Sequence, residues 1–310
     1  MAEVTAAMVK GLRESTGAGM MDCKKALTEA EGDMEKAVEV LREKGLAAAA
    51  KKAGRIAAEG LTKVIIVNDK TAAIVEINSE TDFVAKNADF NAYVNAVASQ
   101  VIDTKATSIE EFLTEAWAKD TTKTVEQELS SQIAFIGEKL SIRRFEKVTE
   151  ENGFVASYMH MGGKIGVVID VVTDVINDEI KEMAKNIAMQ VAAIKPLYTS
   201  DAEVDAEFIE KETEILTAAA KNEKPDANDK IIEGMVKGRI NKELKEICLL
   251  DQVYVKAEDG KQSVAAYVKE VAKANSAIIT IKKFVRFETG EGIAKKEENF
   301  AEEVAKQVSK

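Results

Sequence analysis

Proline, histidine and cysteine are nearly missing from this 310-residue chain. Two prolines, Pro196 and Pro225, stand where an average usage near 5% gives roughly fifteen. A chain so poor in helix breakers can run long uninterrupted helices, so a helix-rich fold is expected. His160 is the only histidine. That excludes two-histidine metal sites and leaves one Ser/His/Asp arrangement, with Ser157 nearby and no nucleophile-elbow motif. A structural or interface role in a hairpin turn suits His160 better. The two thiols, Cys23 and Cys248, lie too far apart in sequence to suggest a framework, and fit a reducing cytosol better than a disulfide or zinc site.

Positive charge is also in deficit. Lysine and arginine number 43 against 54 acidic residues, a formal net charge of −11, which argues against general nucleic-acid binding. The first residues carry no basic stretch followed by an apolar run, and stretches such as Ile165 to Val172 fall far short of the ~20 residues a membrane span needs. The expectation is a cytoplasmic protein with no membrane association. No phosphate-binding G-x-x-x-x-G-K-[ST] occurs, and Gly162-Gly163-Lys164-Ile165-Gly166 reads as a tight hairpin turn, outside any strand–loop–helix context. Gly17-Ala18-Gly19, ahead of Lys24 and Lys25, reads as an inter-helix turn or, less readily, as an anion site at a helix start. No catalytic residue, metal or cofactor is expected, and the chain is read as no enzyme.

What is present is periodicity. Val4, Met8 and Leu12 mark a first helix ending near Thr16-Gly17. Cys23 and Leu27 mark a second from about Met20 to Ala30, and Asp33 caps a third that buries Ala37, Val38 and Leu41 before Gly45 at its C-terminal stop. An alanine- and lysine-rich helical linker follows to Gly60. Two β-branched runs, Val64 to Val67 and Ala73 to Ile77, flank the turn residues Asn68-Asp69-Lys70. Helices are expected over about Phe83–Val101, Ile109–Lys119 and Val125–Ile136, and a strand over Lys139–Val148.

The order then recurs. A hairpin of Phe154–Tyr158 and Ile165–Val172 precedes a helix over 178–194 with Ile180, Met183, Ile187, Val191 and Ile194 on one stripe, which suggests two similar α+β subdomains. The segment Asp201–Lys221, set between the two prolines, reads as the second arm of an antiparallel helical hairpin whose first arm is the 178–194 helix. Further elements are a helix over 233–244, a strand over 247–255, a helix over 264–274, a strand over 278–287 and a charged helix over 293–310.

One segment carries chemistry. In Asn78-Ser79-Glu80-Thr81-Asp82-Phe83-Val84-Ala85 a strand ends in polar residues, and Thr81 or Asp82 can cap the next helix with Phe83 in its first turn. Phe83 then reads either as core or capping staple, or as an exposed aromatic beside a carboxylate, the form of an interface anchor.

Thr16-Gly17-Ala18-Gly19-Met20-Met21-Asp22-Cys23-Lys24-Lys25-Ala26-Leu27, Gly32-Asp33 and Thr81-Asp82-Phe83-Val84-Ala85 closely resemble bacterial elongation factor Ts. So do Ser157-Tyr158-Met159-His160 with Ile165-Gly166-Val167, and Val285-Arg286-Phe287-Glu288 with Gly290-Glu291-Gly292. Met161 stands where the resemblance implies a smaller residue. The likeness spans essentially the whole chain in order.

The resemblance implies a helix-rich α+β protein in five parts. These are a UBA-like three-helix bundle at 1–55, a core N-subdomain at 56–148, a core C-subdomain at 149–180 and 226–288, a coiled-coil helical-hairpin insertion at 181–225, and a C-terminal helical module at 289–310. It implies a guanine-nucleotide exchange factor for elongation factor Tu in translation elongation. The loop Thr81, Asp82, Phe83 and Val84 would wedge near the partner's Mg²⁺ and nucleotide, with Arg13, Met20, Met21 and His160 as further contacts. A homodimer of the complex is left open. A competing reading is an adaptor or chaperone with no nucleotide link.

Overall fold

The computed structural model describes residues 4–16 and 18–294. The fold is α+β and helix-rich, with two three-stranded sheets of orders β1-β2-β5 and β6-β7-β8. Its described residues fall into two compact units, one drawn from 4–16, 18–63, 75–145 and 287–294, the other from 64–74 and 146–286.

The first unit opens with α1 (Ala6–Thr16), α2 (Met20–Glu29) and α3 (Met34–Lys52). Val9 and Leu12 pack with Cys23, Ala26, Leu27 and Ala37 into a small core. Asp33 caps α3 as expected, its Oδ1 accepting from the backbone N–H of Glu35 at 3.0 Å and Lys36 at 3.1 Å. The expected stop at Gly45 is corrected. The helix runs on through Leu46-Ala47-Ala48-Ala49-Ala50 to Lys52, because alanine propensity outweighs one glycine. Gly45 is instead buried against α7 (Val125–Ile136), where an added Cβ would sit 3.5 Å from the Ser130 carbonyl oxygen.

β1 (Glu59–Val67) and β2 (Thr71–Ser79) join through Asn68 and Asp69, both at positive φ, with Lys70 N–H donating to Val67 at 3.0 Å. This is the turn geometry that asparagine and aspartate tolerate. β5 (Ser141–Thr149) completes that sheet. The single helix expected over Phe83–Val101 is two: α4 (Asp82–Ala85) and α5 (Ala88–Asp103). Asn87 makes the break, its Oδ1 accepting from Asp89 N–H at 2.7 Å and Phe90 N–H at 3.1 Å. Helix was also expected through Lys119. Instead α6 (Ile109–Thr114) stops early and a small hairpin follows, β3 (Ala116–Trp117) with β4 (Asp120–Thr124). Gln100 of α5 fixes it with 3.0 Å bonds to Ala116 O and Ala118 N, and Trp117 is buried against Tyr93.

Glu76 of β2 is fully buried and gathers this unit's polar groups. Arg143 Nη1 donates to it at 2.9 Å, Arg144 Nε at 2.6 Å, and Gly290 N–H at 2.7 Å. Gly290 holds φ +75°, and a Cβ there would strike the Ala58 carbonyl oxygen at 2.0 Å, so the Gly290-Glu291-Gly292 motif serves this clasp.

In the second unit β6 (Gly153–His160), β7 (Ile165–Thr173) and β8 (Ile279–Glu288) form the sheet, covered by α8 (Asp178–Ile194) and α11 (Val264–Ala274). α8 buries Ile180, Met183, Ile187 and Val191 in that core, so its expected role as one arm of the hairpin is corrected. The paired arms are α9 (Ala206–Glu223) and α10 (Asp229–Ile247), which meet around Ala220, Ile232 and Val236. An apolar stripe covering half a helix seeks a sheet; the sparser stripe of α9 suffices only for another helix. The strand expected over 247–255 is likewise absent, because α10 extends to Ile247 and a 3-10 turn follows at Leu249–Asp251. The helix expected over 293–310 lies outside the described residues, apart from 293 and 294, which are not helical.

Both cysteines are buried and free, and burial raises each thiol pKa, that of Cys248 to about 11. Among the described residues no helix is long and apolar enough to cross a membrane.

On β7, Asp170 is buried, and its Oδ1 meets no hydrogen-bond donor. Desolvation raises its pKa to about 6, against the pull of Lys282 at 3.7 Å and with the push of Glu150. Glu150 moves the other way, chiefly because Lys282 donates to it at 2.8 Å. Between pH 4 and 6 an unfolded chain would have ionised residue 170 while the folded one keeps the proton, so stability falls as pH rises through that window. Glu150 acts in the opposite sense: its pKa is lowered, so its contribution is present above the ordinary glutamate range and is lost as pH falls through its depressed folded pKa. Urea unfolding of Asp170→Asn at pH 4.5 and 7.5 is expected to show the variant gaining on wild type by on the order of 2 kcal/mol across that range. Gly45→Ala is expected to raise stability by about 0.5–1 kcal/mol, because 3.5 Å is an ordinary contact and helix propensity improves; thermal unfolding reads it directly.

Candidate functional site

The segment after β2 is held from two sides. Glu138, just beyond α7, accepts from the backbone N–H of Glu80 at 3.1 Å and of Thr81 at 3.0 Å through Oε2, and from the Thr81 hydroxyl at 2.7 Å through Oε1. Glu80 reciprocates, its Oε1 accepting from Lys139 N–H at 2.6 Å. Lys139 Nζ in turn donates to the carbonyls of Ala53 and Arg55, and Arg55 pairs with Glu80 at 3.3 Å. Charge-assisted bonds of this kind are the stronger sort and fix the backbone of residues 80 and 81.

From that fixed point α4 starts. Thr81 is the N-cap, with extended φ and ψ and its Oγ1 3.5 Å from Val84 N–H. Ala85 faces inward, Val84 is half-buried, and Phe83 points away from the core at 79% exposure, the highest among the described large apolar residues. The core and staple readings of Phe83 are thereby excluded. Lys86 lies alongside, its Nζ 2.7 Å from Asp82 Oδ2 and 5.9 Å from the Phe83 ring centroid. The Asp82 charge is therefore locally balanced by an i,i+4 partner.

Beside the ring is an open depression of about 290 Å³ lined by Phe83, Val84, Asn87, Asp89, Phe135 and Ile136. In the same unit Arg13 is exposed near the end of α1, and Met20 and Met21 stand 58% and 62% exposed in the first turn of α2. The turn before α2 forms because Thr16 Oγ1 donates to Leu12 O at 2.6 Å and accepts from Ala18 N–H at 3.3 Å. His160 belongs to the other unit, at the exposed end of β6. Its Nδ1 lies 3.0 Å from the Tyr158 hydroxyl, and a turn through Met161 (φ 48°) and Gly162 (φ 65°) follows. Among the described residues no group of three or more histidine, cysteine or carboxylate side chains is placed to hold a metal. What this arrangement offers chemically is apolar contact area on a rigid mount.

Sequence reasoning found the loop but missed its mount. Glu138 lies 57 positions from Thr81, and no local pattern links them. Phe135 had a signal: it falls off the α7 stripe of Val125 and Ile133, two residues past the latter.

Comparison with known proteins places this architecture in the class of translation elongation factors. The family model for Elongation factor TS matches residues 80–291. Elongation factor Ts of Clostridioides difficile (strain 630) is 56% identical over 309 residues, covering 99% of this chain and 100% of that protein. Those of Clostridium perfringens (strain 13) and Clostridium tetani (strain Massachusetts / E88) are 55% and 52% identical, each over 98% of this chain and over 98% and 99% of their own lengths. The chain belongs to the elongation factor Ts family, whose work is nucleotide exchange in protein biosynthesis.

Glu138→Ala is expected to cost about 1–3 kcal/mol and to release the loop. Amide hydrogen exchange at Glu80 and Thr81 should accelerate while the α5 amides keep their protection.

Proposed function

We propose that this protein is a cytoplasmic guanine-nucleotide exchange factor for elongation factor Tu, and that it inserts Phe83 as a wedge near the partner's Mg²⁺ and nucleotide. Thr81, Asp82 and Val84 shape the wedge. Arg13, Met20, Met21 and His160 supply further contacts, and the α9–α10 hairpin stands as a separate coiled-coil arm. The observation that carries this reading is the aromatic ring kept in water on a clasped loop. A fold gains nothing by exposing phenylalanine, whereas a partner that buries it gains roughly 1.5–3 kcal/mol.

Exchange needs no bond-making group. It is a coupling free energy: a factor that binds the emptied GTPase more tightly than the loaded one must weaken nucleotide binding by the same ratio. Displacing the Mg²⁺ ligands removes the largest local charge holding the phosphates. Because Lys86 balances Asp82, the wedge acts through its aromatic volume more than through net charge. No cofactor, nucleic acid or membrane takes part in this reading.

Stopped-flow release of a fluorescent GDP analogue from elongation factor Tu tests it. Wild type should accelerate release strongly, and Phe83→Ala should lose about 10- to 100-fold of that acceleration without loss of thermal stability. Equal acceleration by the variant would remove the wedge, and no acceleration by wild type would remove the exchange function.

A further inference from the structure

We infer that Lys139 is a positioning residue for exchange, its side chain strapping the end of α3 to the base of the Phe83 loop. Bundle and loop then meet the partner as one body. The inference rests on the exchange-factor reading and extends it to a residue that acts only through others.

α3 ends at Lys52, and the last carbonyls of any helix lack donors from the helix itself. Here the chain makes one more turn, with Ala53 N–H donating to Ala50 O at 3.3 Å and Arg55 N–H to Lys52 O at 2.9 Å. The carbonyls of that turn share one donor, Lys139 Nζ, which reaches Ala53 O at 2.7 Å and Arg55 O at 2.8 Å. An ammonium in this place also complements the negative end of the helix dipole. Lys139 is half-buried between α7 and β5, 86 positions along the chain from Ala53.

The backbone of the same residue is tied to the loop. Its N–H donates to Glu80 Oε1 at 2.6 Å, and Arg55 Nη1 donates to the two Glu80 oxygens at 3.3 and 3.4 Å. The bonds close a ring: Lys139 ammonium to Arg55 carbonyl, Arg55 guanidinium to Glu80, Lys139 amide to Glu80. Elsewhere α3 meets α7 through small residues, Gly45 against the Ser130 carbonyl, a contact that sets distance but carries no directional bond. Arg42 Nη2, donating to Thr122 Oγ1 at 3.0 Å, pins α3 before that contact, and Lys139 pins it after. With both pins in place Arg13, Met20 and Met21 keep a fixed offset from Phe83. Without the second, binding itself must bring them into register, an ordering cost subtracted from affinity.

The test follows GDP release from elongation factor Tu against the concentration of Lys139→Met, which keeps the stem and removes the donors. The half-saturating concentration should rise about three- to tenfold, while the maximal rate changes by less than about twofold. Lys139→Arg should recover most of the shift. Amide hydrogen exchange in Lys139→Met should accelerate at Ala53 and Arg55, while Glu80 and Thr81, held by Glu138, keep their protection. An unchanged half-saturating concentration would overturn the inference, as would unchanged exchange at Ala53 and Arg55. A maximal rate that falls together with the thermal midpoint would make Lys139 a stabilising residue only, and overturn it too. Failure of wild type to speed release at any concentration is seen apart from the variants and would remove the underlying reading.

Discussion

A phenylalanine in water has to be held there, and the clasp between Glu138 and the backbone of Glu80 and Thr81 does the holding. At four residues α4 is too short to be rigid by its own hydrogen bonds, so its place depends on that clasp. The clasp acts in both directions, with Glu80 returning a bond to Lys139. The loop between β2 and α5 is therefore tied to the end of α7 and, through Lys139 and Arg55, to the segment after α3. The exposed ring is the product of this polar framework and not of local sequence preference.

Glu76 plays a comparable part deeper in the same unit. A carboxylate with no exposure is costly unless every oxygen is satisfied, and here two arginines, Asn78 and the Gly290 amide supply the donors. Of the two arginines on β5, Arg144 also lies 4.3 Å over the Phe287 ring, so one buried charge organises two strands and the turn after β8. In the second unit the balance is looser. Asp170 lacks a donor on Oδ1 and shares Lys282 with Glu150, and it answers by keeping its proton to higher pH. The two units thus treat buried carboxylates in opposite ways, one by complete pairing and one by partial neutralisation.

Helix periodicity was legible where a helix covers a sheet. The spacing of Ile180, Met183, Ile187 and Val191 located α8 to the residue, and α11 followed equally well, because a broad apolar stripe has only one helical reading. The N-cap Asp33 was legible too, and Thr81 was one of two candidates beside Asp82, since such side chains bond to amides two or three positions away. Asn87 carried the same information and broke α5 from α4 in a place where the apolar pattern alone ran on. The β3–β4 hairpin was not legible, because its fixing bonds come from Gln100, sixteen and eighteen residues away.

By itself the sequence determined the α+β class, most helices and strands, the family, and the position of Thr81-Asp82-Phe83-Val84 at a helix start. Each depends on short-range periodicity, capping or motif. Tertiary structure alone decided that Phe83 faces solvent, that α10 and not α8 pairs with α9, and that Phe135 borders the same depression as Phe83. The reason is physical: exposure and pairing depend on groups far apart along the chain, and the bond from Thr81 to Glu138 crosses 57 positions that no local pattern spans.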